Sequence, residues 1–220
     1  MTAESVAQAL AAAQIPQERV GASRTARLQP ETRSLYHWIL HRFARDGLVD
    51  VAALAAEAEQ RDLDLASTLA ILAREDLVHV DDGAVAVAYP FSGRPTPHRV
   101  RFDGHDAYAM CALDALGIAP MFAAPVVIDS RDPISDEAIH VELTTDGQVL
   151  WTPESAVVVA GSCCAAAAFV GCCQVLNFFA TPANAEAYLQ RADVRGHVIS
   201  IPDAAEAGRA IFGDVFEERG

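Results

Sequence analysis

The sequence predicts an α+β fold, with an N-terminal winged-helix-like helical subdomain followed by a mixed or antiparallel-sheet core with flanking helices. Three observations carry this. Apolar residues recur at helical spacing through the first third of the chain. Beyond it, short segments alternate apolar and polar residues at period two, and Asp-Gly pairs mark tight turns. Helical patterns then stand at the end instead of alternating with the strands, which argues against a doubly wound parallel sheet.

Residues 1–14 read as an alanine-rich amphipathic helix, and a loop through Pro16, Gly21 and Pro30 follows. Leu35, Trp38, Ile39 and Phe43 share one helical face; Val51, Leu54 and Ala55 mark a second helix, and Leu65, Leu69 and Leu72 a third. The run from Val78 to Val80, the turn Asp81-Asp82-Gly83 and the run from Ala84 to Ala88 form a hairpin signal. Three helices and a hairpin outline a winged helix. The proline-rich stretch from Tyr89 to His98 marks a boundary. After it, a strand is expected over 98–103, a helix over 107–116, and strands over 125–129, 139–143 and 148–151, the last two joined at Asp146-Gly147. A helix over 184–191, a strand over 197–201 and a helix over 203–216 complete the pattern. The organisation expected is 1–30 as helix and linker, 31–90 as the winged-helix-like subdomain and 91–220 as the core.

At 220 residues the chain can bury a sizeable core. Its net charge of −14 repels phosphate backbones and anionic lipid. The helix that would read DNA, roughly 64–74, offers only Arg74 amid Asp62, Asp64, Glu75 and Asp76, so no nucleic-acid partner is expected. Every basic residue is arginine, which excludes Schiff-base chemistry on lysine. The uncharged stretch from Ser155 to Ala185 is broken by Gly161, Gly171, Gln174 and Asn177 and lacks flanking arginines, so buried strands or a strand and helix are expected there, with no membrane partner. No basic and apolar leader opens the sequence, and the cytoplasm is the expected compartment.

Chemistry concentrates in the cysteines. There are five, four of them in the adjacent pairs Cys163-Cys164 and Cys172-Cys173, a poor disulfide framework but a workable set of reduced thiols. Cys111 and Asp114 stand three residues apart in a run expected to be helical, which puts sulfur and carboxyl on one face. A carboxyl amid apolar neighbours must be paired, hydrogen-bonded or protonated, and a protonated one is a usable acid. Cys163 and Cys164 lie in an alanine-valine run and read as packing. Cys172-Cys173 stands where Gly171, Gln174 and Asn177 interrupt that run, as the edge of a polar pocket would. Two thiolates and a carboxylic acid suit a thiophilic metal and delivery of a proton to whatever leaves it. His37 and His41 share a helix face without a third ligand nearby in sequence.

Three segments, 108–116, 171–180 and 185–201, resemble the alkylmercury (organomercurial) lyase family. The resemblance implies a winged-helix-like N-terminal region and an α+β catalytic core. It also implies protonolytic cleavage of carbon–mercury bonds, giving a hydrocarbon and Hg(II) held by two cysteine thiolates. Carried over by position, Cys111 and Cys172 are the catalytic cysteines and Asp114 the catalytic acid, all three contacting Hg(II) transiently; Cys173 is the neighbouring non-catalytic cysteine and a further contact for the metal. No permanent cofactor is implied; external thiols or a mercuric reductase would take the product ion. The chain departs from the family pattern around Ser130 to Asp132, where a structural cysteine is expected, and at Gln174 to Asn177, where histidines are. An alternative of another class remains open on the same residues, a non-catalytic thiol-based metal-binding or sensing protein.

Overall fold

The computed structural model describes residues 7, 10, 11, 20–163, 173, 175–191 and 194–217, with Ser162 and Cys163 described by backbone alone. The helix expected over 1–14 falls almost wholly outside these. A 3-10 turn, Gly21–Arg24, precedes helix α1, Pro30–Asp46. Proline in its first turn is pre-set for helical φ, and Gly47 ends it in the left-handed conformation at φ 72°. Its buried stripe of Leu35, Tyr36, Ile39, Leu40 and Phe43 is the one the periodicity marks. Helices α2 (Val51–Gln60) and α3 (Leu65–Arg74) follow, each capped by an aspartate, Asp50 and Asp64, that accepts a backbone N–H of the first turn.

Strands β1 (Val78–Asp81) and β2 (Ala84–Ala88) form the expected hairpin, turning at Asp82 and Gly83, both at positive φ. They continue directly into the main sheet through β3 (Phe91–Ser92), β4 (Arg99–Phe102), β5 (His105–Ala109), β6 (Val126–Arg131), β7 (Ala138–Leu143) and β8 (Val149–Thr152). The eight strands run in the order β1-β2-β3-β5-β4-β6-β7-β8, and all neighbouring pairs are antiparallel. A second sheet has the order β10-β9-β11, from β9 (Val157–Cys163), β10 (Phe178–Phe179) and β11 (Val194–Ser200). Helix α4 (Ala112–Phe122) lies between β5 and β6 in sequence, α5 (Pro182–Leu189) follows β10, and α6 (Ile201–Phe212) follows β11. This is the α+β arrangement that the patterning predicts, N-terminal helices ahead of an antiparallel core with flanking helices.

One element differs in a way that matters. The run read as a helix over 107–116 is a strand up to Ala109, and the helix begins at Ala112 and carries on to Phe122. The strand half, His105–Ala109, alternates exposed and buried residues against β4, while the helix is buried on nearly every face, so its sequence has no amphipathic period to announce where it starts. Helices α4 and α6 cross at glycines: a Cβ on Gly208 would stand 2.9 Å from the Gly117 nitrogen and 3.0 Å from the Leu113 carbonyl oxygen. Backbones this close fix α4, and with it Asp114, against the core. The Ser155–Ala185 stretch supplies β9 and β10; among the described residues no helix is long and apolar enough to cross a membrane.

Candidate active site

The start of α4 builds the site. Cys111 is the helix N-cap, in extended conformation, and its Sγ accepts the Asp114 N–H at 3.4 Å. The spacing of three therefore acts through a cap, in which the sulfur satisfies a first-turn N–H that helices leave orphaned. The next amide, Ala112 N–H, donates to the Leu176 carbonyl at 2.9 Å and fastens the helix start to the segment that carries Cys173. Cys173 Sγ lies 3.8 Å from Asp114 Oδ2 and 3.8 Å from the Tyr89 hydroxyl. The ligand atoms of Cys111, Asp114 and Cys173 all lie within 4.8 Å of one another, and all three residues are buried.

Burial decides the electrostatics. It pushes the Asp114 carboxyl up to about 7, a shift opposed by hydrogen bonds to Cys111 and Cys173 and by the nearby Arg24 guanidinium. It also pushes the Cys111 thiol well above its ordinary value, helped by Cys173 and Asp114. The Cys111 sulfur therefore rests as a thiol, and Asp114 can take or give a proton near neutrality. Such a site is a poor host for free charge and a good one for a soft cation that replaces thiol protons.

Residues outside the cysteine motifs close the site from behind. Arg24, at the end of the 3-10 turn, is 9% exposed, its guanidinium carbon 5.7 Å from the Tyr89 ring centroid and 5.0 Å from that of Phe212. Tyr36 of α1 is buried, donates its hydroxyl to the Tyr89 carbonyl at 2.9 Å and is itself pushed up to about 12 by burial. Neither tyrosine nor Arg24 stood out in the sequence, where Tyr89 opens a proline-rich stretch and Arg24 is one of many arginines.

The structure thus brings Cys111, Asp114 and Cys173 together. Cys172, Cys164 and Gln174 lie outside the described residues. Cys163 ends β9, away from the start of α4 in sequence and pairing with Val194. His37 and His41 are engaged with aromatic rings, both against Phe216. Where the family pattern has a structural cysteine, Ser130 contacts the buried His98 Nδ1 at 2.9 Å, and Asp132 accepts N–H groups from Ile134, Ser135, Ala180 and Asn184. Burial lowers His98 to about 4, so it is neutral at physiological pH. Polar staples occupy this region.

The family model for alkylmercury lyase, MerB, matches residues 91–213, more than half of the chain. The chain belongs to the alkylmercury lyase family. Alkylmercury lyases of Bacillus cereus and Clostridium butyricum are each 32% identical to it over 142 residues, 64% of this chain and 64% of theirs, so the aligned part spans just under two thirds of those relatives. The alkylmercury lyase of Staphylococcus epidermidis is 29% identical over 187 residues, 84% of either chain. The crystal structure of the mercury-bound form of MerB2 superposes with a TM-score of 0.71 over 95% of this chain and 99% of that one, at 20% identity, a likeness of fold. The fold match reaches the N-terminal helices, which the family model leaves out.

Proposed function

We propose that this member of the alkylmercury lyase family cleaves the carbon–mercury bond of organomercurials by protonolysis, with Cys111 and Cys173 as the two thiols and Asp114 as the acid. The observation that carries the reading is the buried triad itself, two sulfurs and a carboxyl within 4.8 Å of one another. Cys111 exchanges its proton for the mercury of a thiol-bound R–Hg, forming a sulfur–mercury bond and freeing the small thiol. Cys173 then passes its proton to the Asp114 carboxylate and adds its sulfur to the same mercury. Asp114, now a carboxylic acid, protonates the carbon as that bond breaks, so R–H leaves and Hg(II) stays on two sulfurs. One proton moves from Cys173 to carbon, and Asp114 ends as it began. A carboxyl held near 7 suits both halves of that relay. Small cellular thiols or a mercuric reductase would take the product ion, in a compartment reducing enough to keep the thiols free, which fits the cytoplasm.

This gives Cys173 the place that position alone gave to Cys172. The two assignments separate in single-turnover cleavage of a methylmercury–thiol adduct: Cys173→Ser abolishes hydrocarbon release and Cys172→Ser retains most of it. The reverse pattern would return the second thiol to Cys172. A non-catalytic thiol-based metal-binding protein on the same scaffold would hold mercury through the same sulfurs and release no hydrocarbon from any variant.

A further inference from the structure

Cys173 Sγ has two oxygen neighbours at the same distance, Asp114 Oδ2 and the Tyr89 hydroxyl, each at 3.8 Å. A thiol carries one proton and donates it to one of them at a time. When that proton sits toward or on Asp114, the sulfur is left rich in charge in a buried site, and the phenol is the second group in contact with it. We propose that Tyr89 is a further residue of the reaction: its O–H donates to the sulfur of Cys173 as that thiol loses its proton to Asp114, and it holds the sulfur toward the position shared with Cys111. Tyr89 keeps its own proton throughout, so the relay balances as written. The proposal rests on Cys173 being the second thiol.

The surroundings of Tyr89 fit a fixed donor. Its N–H donates to the Leu77 carbonyl at 3.1 Å, its carbonyl accepts the Tyr36 hydroxyl at 2.9 Å, and the next carbonyl, of Pro90, accepts the N–H of Met110, the residue before Cys111, at 3.0 Å. The ring has the Arg24 guanidinium over it and the edge of His79, 6.2 Å away, beside it. A cation over the ring draws electron density from the phenol and strengthens it as a donor. The charged or titratable groups around the sulfur and the phenol are Cys111 and Asp114 at the start of α4, Tyr36 on α1, Arg24 on the 3-10 turn, Asp76 after α3 and His79 on β1. Most of these come from the N-terminal helices and the hairpin. The winged-helix-like region therefore serves as the rear wall of the site, a role that does not call on the basic recognition helix it does not have.

Tyr89→Phe removes the hydroxyl and leaves the ring, the backbone bonds and the cation contact in place. The test measures two rates on the reduced full-length protein: alkylation of Cys173 by iodoacetamide, resolved by peptide mass spectrometry, and single-turnover cleavage of methylmercury. Loss of a hydrogen bond to a charged sulfur predicts a fall of about tenfold or more in both, with alkylation of Cys111 and the melting temperature little changed. Unchanged alkylation of Cys173 overturns the proposal, whatever cleavage does. Tyr36→Phe is the control for position, since it frees the Tyr89 carbonyl and keeps the Tyr89 hydroxyl; an equal fall in that variant would make the effect structural and overturn the proposal as well. If the wild type releases no hydrocarbon, the lyase reading fails, and the alkylation rates still decide the role of Tyr89.

Discussion

Replacing Asp114 by asparagine should make the protein more stable and inactive. Burial raises the carboxyl to about 7 in the folded state against 3.8 as the ordinary value. At about 1.4 kcal/mol per pH unit, that gap corresponds to about 4 kcal/mol of stability that the ionised site costs the fold. The sign follows from proton counting. Between 3.8 and 7 the folded state binds more protons at this position than the unfolded one, so the wild type loses stability, relative to an uncharged variant, as pH rises through that window. Below the window the two differ by a constant, and above it the difference levels off. Denaturant unfolding of wild type and Asp114→Asn from pH 5 to 8.5 should therefore show the variant's advantage growing by about 1.4 kcal/mol per unit up to pH 7 and flattening beyond. Cleavage should be lost at every pH, because the amide donates no proton. An advantage independent of pH, or one shrinking as pH rises, would refute the placement of a buried, neutral-leaning carboxyl at this position.

Two further perturbations probe what holds the site in place. Gly208→Ala drives a methyl into the Gly117 and Leu113 backbone of α4, so a loss of about 1–3 kcal/mol in thermal or denaturant unfolding is expected, with cleavage falling further than stability as Asp114 shifts. Asp132→Ala strips the acceptor from Ile134, Ser135, Ala180 and Asn184 and should cost at least about 3 kcal/mol. Despite burial, the hydrogen bonds from Asn184 and the three amides hold the Asp132 carboxyl below its ordinary range. Its contribution is accordingly present near neutrality and lost as pH falls through the acid range, and the deficit of Asp132→Ala measured at pH 7 should narrow on acidification.

Much of the fold was legible because its patterns are local. The apolar stripe of α1, the hairpin turning at Asp82-Gly83 and the alternation in β6 and β7 each follow from spacing within a few residues. The start of α4 was not, since Ala112 to Phe122 is buried almost all round and the preceding strand merges into it without a turn residue. In the site, Cys111 and Asp114 were legible as a soft nucleophile near a carboxyl, although the physical link is a cap through the Asp114 N–H and not two residues in mid-helix. Between Cys172 and Cys173 nothing local in the sequence chooses, and the contact of the Cys173 sulfur with Asp114 is made across a separation that no local pattern encodes. Tyr89 and Arg24 come in from the N-terminal region over separations that no local pattern encodes.

The claim that two thiols and Asp114 deliver a proton to carbon is tested most directly by the gas released. Reduced wild-type protein, methylmercury and excess small thiol are incubated in D2O, and the headspace is analysed by mass spectrometry alongside Asp114→Ala. The account predicts singly deuterated methane from the wild type, the deuteron having come through exchangeable sulfur and carboxyl positions, and little or none from the variant. Tight mercury binding without methane from either protein, or equal methane from both, would contradict it.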